Sequence, residues 1–335
     1  MRGSLPRTTF DGRTKVLYVA GLGRSGSTLL GNVLGQMDGF ISVGEIRGIW
    51  EYGLLENRAC GCGAPFRECA LWRSVFDEAF GGIDKVDPRE MIRLRESWAR
   101  TKHVPLMLAP PGKWFVERRL GEYLGVLEKL YHAVQIVTGA RVIVDTSKFP
   151  SYGSVLEMAP SMNLRVMHLV RDPRAVAYSW MRKKRLRPDL EGPKEYMPRR
   201  GAAVSSLRWL VRNITTEVLW RRSRERYLLL RYEDFAVDPQ ETIGQVLKLV
   251  REEEAPRRWA ARHEVRLGMN HNIWGNPSRF RTGMVEIQPD TEWVSHIEPN
   301  DRRLVTLLTL ALLVRYGYPL AAVEKGSASG GHSRG

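Results

Sequence analysis

The stretch KVLYVAGLGRSGSTLLGNVLGQM, from Lys15 to Met37, contains the features that decide the fold. It begins with an apolar run typical of a buried parallel strand, continues into a glycine-rich turn and ends in a helical pattern. These three parts together form an anion site, because free backbone N–H groups and the helix dipole both favour negative charge. We therefore expect a phosphate-bearing ligand at this turn.

The glycine spacing alone fits two classes of nucleotide-binding turn. A dinucleotide fingerprint is matched by Gly21, Gly23 and Gly26. Glu45 lies 19 residues after Gly26 and could hold a ribose. The same glycines nearly match a kinase phosphate loop, but Ser27 stands where that loop requires lysine. Arg24, inside the turn, is better explained as a cation for a terminal oxyanion group, since a pyrophosphate is normally held by backbone alone.

Short apolar runs alternate with helical patterns along the rest of the chain. Buried parallel strands are predicted at 16–20, 141–145, 164–170 and 227–231, with a weaker candidate at 40–43. Helices are predicted at 27–37, 121–139, 174–182 and 240–251. This alternation predicts an α/β fold, a three-layer sandwich with a central parallel sheet. Its ligands should bind at the carboxyl ends of the strands.

The domain organisation follows from the same pattern. Residues 15–325 are predicted to form a single domain, between a flexible leader at 1–14 and a disordered tail at 326–335. Two segments break the alternation: 56–115, which carries the three cysteines, and 182–200, which is rich in Lys and Arg. We interpret both as insertions over the ligand site, where substrate specificity usually lies.

The charge and hydrophobicity of the sequence limit the kinds of partner that the protein can have. A net charge of +15, from 52 Lys+Arg against 37 Asp+Glu, predicts an anionic partner. The first residues lack the apolar core of a secretory signal, and the longest apolar run, 307–314, is too short to cross a bilayer. We interpret that run as a buried C-terminal helix and expect a cytoplasmic protein without stable membrane insertion. No RNA-binding fold is recognisable, so no nucleic-acid partner is expected, and the oligomeric state is left open.

A second segment, HLVRDPRAVAYSW at 168–180, begins on a predicted strand and continues into a helix. Arg171 and Ser179 could hold one phosphate, although Arg171 could instead pair with Asp172. Together with GRSGSTLL, this segment resembles the two cofactor motifs of sulfotransferases that use 3′-phosphoadenosine-5′-phosphosulfate (PAPS), including carbohydrate, tyrosylprotein and bacterial members. The resemblance covers roughly residues 15–300. It implies a P-loop NTPase-like fold, with PAPS as co-substrate, and transfer of a sulfuryl group to a hydroxyl acceptor.

The resemblance also assigns binding residues to the two ends of PAPS. The 5′-phosphosulfate would be held by Arg24, Ser25, Gly26, Ser27, Thr28 and Leu29. The 3′-phosphate would be held by Arg171 and Ser179, with Lys183 one helical turn further on. A loop closing over this phosphate resembles GNPSRFRTG (275–283), in which the candidates are Arg279 and Arg281. In the segment LRYEDF (230–235), Tyr232 would approach the nucleotide.

Sulfuryl transfer also needs a base for the acceptor proton and compensation of charge on the leaving group. By resemblance Glu45, which follows the run FISV, would be the general base, unless it pairs with Arg47 instead. Lys148 and Arg24 would stabilise transferred and leaving charge. Cytosolic small-molecule sulfotransferases place a histidine beside the equivalent lysine, whereas this chain has Phe149, which favours Glu45 as the base.

No metal is expected in the reaction, because only one phosphate-type leaving group needs compensation. Asp145 could mimic a magnesium ligand, but we interpret it as a residue that orients its loop. A metal knuckle is suggested by Cys60, Cys62 and Cys69, but tetrahedral zinc needs four ligands and no histidine lies nearby in sequence. We interpret the cysteines as non-catalytic thiols or a reversible disulfide. A structural metal would need a distant histidine, such as His103.

Two other functions stay open on sequence alone. A P-loop kinase or NTPase-like enzyme would bind ATP with magnesium, and a non-catalytic nucleotide-binding protein would be indifferent to loss of Glu45. The acceptor is equally open between a small molecule, a glycan and a lipid, because the two insertions contain no interpretable motif. Four tryptophans could line an acceptor pocket, although each alone is more typical of a core: Trp50, Trp72, Trp114 and Trp180.

Overall fold

A five-stranded parallel sheet forms the centre of the molecule in the computed structural model, which describes residues 12–183, 185, 196–255 and 259–320. Its strands are β1 (Thr14–Gly21), β2 (Phe40–Gly44), β3 (Val142–Lys148), β4 (Met162–Val170) and β5 (Tyr227–Arg231). The spatial order is β2-β3-β1-β4-β5, and every neighbouring pair is parallel. All five predicted strands are confirmed, including the weaker candidate at 40–43. The tail expected at 326–335 and most of the leader lie outside the described residues.

Helices cover both faces of this sheet. The α-helices of the described residues are α1 (Ser27–Leu34), α2 (Ala70–Phe80), α3 (Pro88–Trp98), α4 (Val104–Leu108), α5 (Pro110–Arg119), α6 (Gly121–Thr138), α7 (Pro150–Met158), α8 (Pro173–Met181), α9 (Ala202–Trp220), α10 (Tyr232–Val237), α11 (Pro239–Val250), α12 (Glu292–His296) and α13 (Pro299–Arg315). A π-helix runs from Ile49 to Leu55. The segment 56–115, fully described, is mostly helical and contains no β-strand.

The alternation along β1 explains the three layers. Val16, Tyr18 and Ala20 point into one core, shared with α2, α6 and α7, whereas Leu17 and Val19 point into the other, shared with α1 and α11. All five side chains are fully buried. A strand covered on both faces must be apolar at every position, and this requirement produces the continuous run VLYVA. The predicted three-layer α/β sandwich is confirmed.

Two features of the fold differ from the sequence prediction or were missed by it. A small antiparallel sheet of β6 (Trp259–Ala261), β7 (Glu264–Leu267) and β8 (Gly283–Glu286) was missed, because strands of three or four residues are too short to show a period. The expectation of a buried C-terminal helix is wrong for much of α13, where Leu307 is 72% exposed. Within the described ranges, no helix is both long and apolar enough to span a bilayer.

The strand register brings the candidate residues to one edge of the sheet. Ala20 of β1 pairs with Lys148 at the end of β3, and Gly21 pairs with Leu169 near the end of β4. Gly44, at the end of β2, pairs with Asp145. The loops that follow four parallel strands therefore meet at the carboxyl edge, which is where ligands bind in such sheets.

Candidate functional site

The turn after β1 packs so closely against neighbouring residues that two of its positions require glycine. A Cβ atom at Gly21 would lie 2.4 Å from the carbonyl oxygen of Leu169, and one at Gly26 would lie 2.3 Å from the ring of Tyr232. Both glycines also have positive φ angles, 135° and 87°. Arg24 has a φ of 75°, an unusual value for a residue with a side chain, and such strain is typical of functional positions.

The guanidinium group of Arg24 is buried without a hydrogen bond. None of its three nitrogens has a partner within the described part of the chain, and the same is true of the hydroxyl of Ser25. The guanidinium lies 4.8 Å from the ring centroid of Trp180, and Arg200 lies 4.3 Å from the same ring. Burial lowers the pKa of Arg24 to about 10, so the group stays charged at neutral pH. Buried donors without acceptors are costly, and an anion has the chemistry to satisfy them.

Glu45 and Lys148 form an ion pair beside the turn. Lys148 Nζ donates to Glu45 Oε1 at 2.5 Å and to the carbonyl of Thr146 at 2.9 Å. Their side chains are 16% and 12% exposed, so the pair is largely sheltered from water. Lys148 also has a left-handed backbone, with φ 69°. The alternative pairing of Glu45 with Arg47 is not formed.

Arg47 has other partners. Its guanidinium donates to Glu96 Oε1 at 2.8 Å and lies 4.0 Å from the ring centroid of Phe149. Phe149 is also covered by Arg212, whose guanidinium lies 3.7 Å from the same centroid. Burial lowers the pKa of Arg212 to about 10. The ring of Phe149 is therefore in contact with two cations.

Asp145 holds the loop that carries Lys148. Its Oδ1 accepts from the Ser147 backbone N–H at 2.8 Å and from the Ser147 hydroxyl at 2.5 Å, and its Oδ2 accepts from Tyr131 at 2.6 Å. The carboxyl group is fully buried, and this burial raises its pKa to about 6. These contacts agree with the interpretation that Asp145 orients the loop.

The raised pKa of Asp145 predicts an unusual pH dependence of stability. Between about pH 4 and 6 the folded protein binds a proton that the unfolded chain does not, so this contribution to stability rises as the pH falls. Relative to Asp145→Asn, which has no such titration, the wild-type protein should gain about 1 kcal/mol between pH 7 and pH 5. Urea unfolding of both proteins at the two pH values measures the difference. A constant or opposite difference would contradict the protonation.

Arg171 links the second motif to the turn. It donates to the backbone carbonyl of Arg24 at 2.8 Å, pairs with Asp290 at 2.5 Å and lies 4.8 Å from the ring centroid of Tyr232. The alternative pairing with Asp172 is not formed, because Asp172 pairs with Arg174 and caps the N-terminus of α8. The structure therefore brings both motifs together.

The remaining candidates differ in exposure. Ser179 is half-buried on α8, and Lys183 is exposed with its amine 4.2 Å from the ring centroid of Tyr196. Arg279 is buried and donates to the carbonyls of Gly275 and Ala59 at 3.3 and 3.1 Å, whereas Arg281 is exposed. The loop of both arginines contacts the turn, because the N–H of Asn276 donates to Thr28 Oγ1 at 3.3 Å.

Three residues of the site were missed by sequence reasoning. Arg200 belongs to the basic segment 182–200, whose composition did indicate a cover over an anion, but no motif singles it out. Arg212 lies on α9 and Asp290 precedes α12, and neither has a sequence signal. Of the four tryptophans, Trp180 lies at the turn, whereas Trp50 and Trp72 are buried in the core and Trp114 is 59% exposed.

A comparison with protein families identifies the chain. The model of the sulfotransferase family matches residues 17–253, well over half of the sequence, and this range includes both motifs. The chain belongs to the sulfotransferase family. The resemblance inferred from the two motifs is thereby confirmed at the level of the family. A comparison with curated proteins found no match.

A comparison with solved structures found chains that are similar over most of this sequence. The sulfotransferase domain of the Synechococcus olefin synthase is 18% identical, with a TM-score of 0.48 and coverage of 95% of this chain and 99% of that one. The sulfotransferase domain from the curacin biosynthetic pathway is 16% identical, with a TM-score of 0.45 and coverage of 89% and 98%. A Mycobacterium avium sulfotransferase is 12% identical, with a TM-score of 0.44 and coverage of 94% and 79%.

Proposed function

We propose that this sulfotransferase uses PAPS and transfers the sulfuryl group to a hydroxyl acceptor, with Glu45 as general base. The observation that carries the proposal is the turn after β1, where the guanidinium of Arg24 and the hydroxyl of Ser25 are buried without hydrogen-bond partners among the described residues. An oxyanion group would satisfy these donors. Ser27 and Thr28, the first two residues of α1, contribute two further hydroxyl groups to this site. The free backbone N–H groups at the start of α1 also favour an anion there.

PAPS supplies a sulfuryl group already attached to a phosphate leaving group, so no metal is included in the proposal. Arg24 binds the phosphosulfate end and neutralises its charge. Arg171 binds the 3′-phosphate, which replaces Asp290 as its partner. Since Asp290 is 38% exposed, it can turn into solvent when the phosphate arrives. Ser179 and the exposed Lys183 and Arg281 complete this second anion site.

Glu45 accepts the proton of the acceptor hydroxyl at its carboxylate. Its ion pair with Lys148 at 2.5 Å fixes the carboxylate in place before the acceptor binds. Lys148 in turn is fixed by the carbonyl of Thr146 and by the loop that Asp145 orients. The amine is therefore available to stabilise charge at the same place where the proton leaves.

The kinase alternative is disfavoured by two observations. Ser27 occupies the position of the phosphate-loop lysine. Asp145, which could have been a magnesium ligand, accepts three hydrogen bonds from Ser147 and Tyr131 and is fully buried. Neither feature suits magnesium-nucleotide chemistry.

A ligand titration tests the proposed donor. We expect 3′,5′-ADP to bind at least about tenfold more tightly than ATP with magnesium or NAD, equivalent to about 1.4 kcal/mol, because two separate cation sites hold its two phosphate ends. Isothermal titration calorimetry measures all three affinities on one preparation. Preference for ATP with magnesium would favour the kinase alternative and contradict the proposal.

A second titration, with 3′,5′-ADP and 5′-AMP, distinguishes the cation sites for the two phosphate ends of the ligand. Arg171→Gln should weaken 3′,5′-ADP binding and leave 5′-AMP binding within about threefold, since 5′-AMP has no 3′-phosphate. An equal loss for both ligands would mean that Arg171 supports the turn through the Arg24 carbonyl and does not bind the phosphate.

A further inference from the structure

A second cluster of polar side chains lies apart from the proposed transfer chemistry. It contains the three cysteines of the chain and His271, whose ligand atoms all lie within 4.8 Å of one another. The Cys62 and Cys69 sulfurs are 3.8 Å apart, and His271 Nδ1 lies 3.7 Å from Cys60 Sγ and 3.2 Å from Cys69 Sγ. Cys60 and Cys69 are buried, whereas Cys62 and His271 are partly exposed.

These distances match a tetrahedral metal site better than a disulfide. Around tetrahedral zinc, with Zn–S near 2.3 Å and Zn–N near 2.05 Å, two sulfurs are about 3.8 Å apart and a sulfur and a nitrogen about 3.6 Å apart. A disulfide would require about 2.05 Å between sulfurs. Three thiolates and one imidazole form a closed donor set that zinc prefers, with no position left for a substrate. We propose that Cys60, Cys62, Cys69 and His271 bind a structural zinc ion.

The backbone around the cluster is already shaped for this role. The Cys60 N–H donates to the carbonyl of Ala64, and the Gly63 N–H donates to the carbonyl of Cys60, which closes a tight turn around the first two cysteines. A Cβ at Gly61 would lie 2.1 Å from Asn270 Oδ1, so only glycine lets this turn pack against the segment that carries His271. Steric contact with Asn270 therefore explains why glycine stands between Cys60 and Cys62.

His271 is held towards the cysteines from both sides. Trp72 Nε1 donates to the backbone carbonyl of His271 at 2.9 Å, and the Gly61 N–H donates to the carbonyl of Asn272 at 3.0 Å. The fourth ligand, which the nearby sequence does not offer, thus comes from a residue 211 positions after Cys60. His103, the histidine suggested by sequence, lies elsewhere, with its Nδ1 3.0 Å from the carbonyl of Trp98.

The zinc ion would fasten the loop of residues 270–281 to the nucleotide turn. Asn272 donates to Asn32 of α1 at 2.6 Å, and the Asn276 N–H donates to Thr28 Oγ1 at 3.3 Å. Arg279 of the same loop donates to the carbonyl of Ala59, next to the first cysteine. Loss of zinc should therefore loosen the loop against α1. Only this consequence for nucleotide binding rests on the proposed function; the metal site does not.

Metal analysis of the intact protein tests the site directly. Tag-free protein purified without chelators or added metal should contain about one zinc ion per chain by inductively coupled plasma mass spectrometry. Protein prepared with cobalt instead should show the intense visible absorption of tetrahedral cobalt bound to thiolates. The three thiols should react with Ellman's reagent only after zinc is removed. The proposal would be overturned if the protein as purified were folded but contained no metal. A disulfide among the three cysteines, found by mass spectrometry of peptides, would also overturn it.

Substitutions assign the ligands. Cys62→Ser and His271→Ala should each reduce bound zinc to below about a tenth of an equivalent, whereas His103→Ala should keep the full equivalent. Zinc retained at the wild-type level in both ligand variants would also overturn the proposal. If the variants fail to fold, the cobalt spectrum and thiol protection of the wild-type protein decide the question. If protein stripped of zinc stays folded but binds 3′,5′-ADP more weakly, the zinc ion also holds the loop of residues 270–281 in position for nucleotide binding.

Discussion

Glu45→Gln should lower the turnover number by about 10²–10⁴-fold while changing the affinity for 3′,5′-ADP by less than about threefold. The amide keeps the shape of the carboxylate and can still accept a hydrogen bond from Lys148, but it cannot accept the proton of the acceptor hydroxyl. Transfer from radiolabelled PAPS is measured with the best acceptor from a panel of phenols, primary alcohols and sugars.

Glu252→Gln is the matched control for this substitution. Glu252 is also an ion-paired carboxylate, 2.7 Å from Lys15, but it lies at the opposite edge of the sheet from the site, where β1 begins. This variant should keep the wild-type turnover number. If Glu45→Gln also kept it, the carboxylate would only hold Lys148 in place, and the general base would have to be another group.

Local sequence patterns predicted the fold well, because the determinants of these strands lie within the strands themselves. A run such as VLYVA is apolar at every position since both of its faces are covered, and this can be read without knowledge of the neighbours. The small sheet of β6, β7 and β8 could not be read in this way. Its strands have three or four residues, and they are stabilised by contacts with the core that the sequence does not reveal.

The location of the candidate site was predictable because its residues lie at or just after the carboxyl ends of strands. Arg24, Glu45 and Arg171 follow strands and Lys148 is the last residue of β3. Parallel topology then requires that they meet at one edge of the sheet. Which of them would pair could not be predicted. Glu45 has Arg47 two positions away but pairs with Lys148, 103 residues away, because β2 and β3 lie side by side.

The contacts of the proposed zinc ligands and of Arg279 could not be predicted from the sequence either. His271 is invisible as a ligand in sequence because no spacing rule connects it to Cys60, 211 residues earlier. Arg279 matched the phosphate-binding loop of the family resemblance, yet its side chain is buried against the carbonyls of Gly275 and Ala59. A motif predicts the type of residue at a position, whereas the direction of its side chain depends on packing from distant parts of the chain.

Arg24→Gln should reduce the turnover number by about 10²–10³-fold, the loss expected when one group that stabilises transition-state charge is removed. The same substitution should leave the thermal unfolding temperature unchanged or raise it. The reason is that Arg24 is 9% exposed and its guanidinium has no hydrogen-bond partner within the described residues, so the folded protein bears the cost of burying that charge. Kinetic assays and calorimetric unfolding of the same preparation measure both effects.

Arg251→Gln is the control that separates the effect of losing the Arg24 side chain from the effect of placing glutamine in a left-handed backbone conformation. Arg251 also has a left-handed conformation, with φ 58°, but it is exposed at the end of α11, away from the turn. Any change caused by placing glutamine in a left-handed position should appear in both variants, whereas loss of sulfuryl transfer should appear only in Arg24→Gln. A stable Arg24→Gln enzyme with the wild-type turnover number would mean that the buried cation does not act on the phosphosulfate. A less stable one would show that Arg24 holds the turn together, and its role would then be structural.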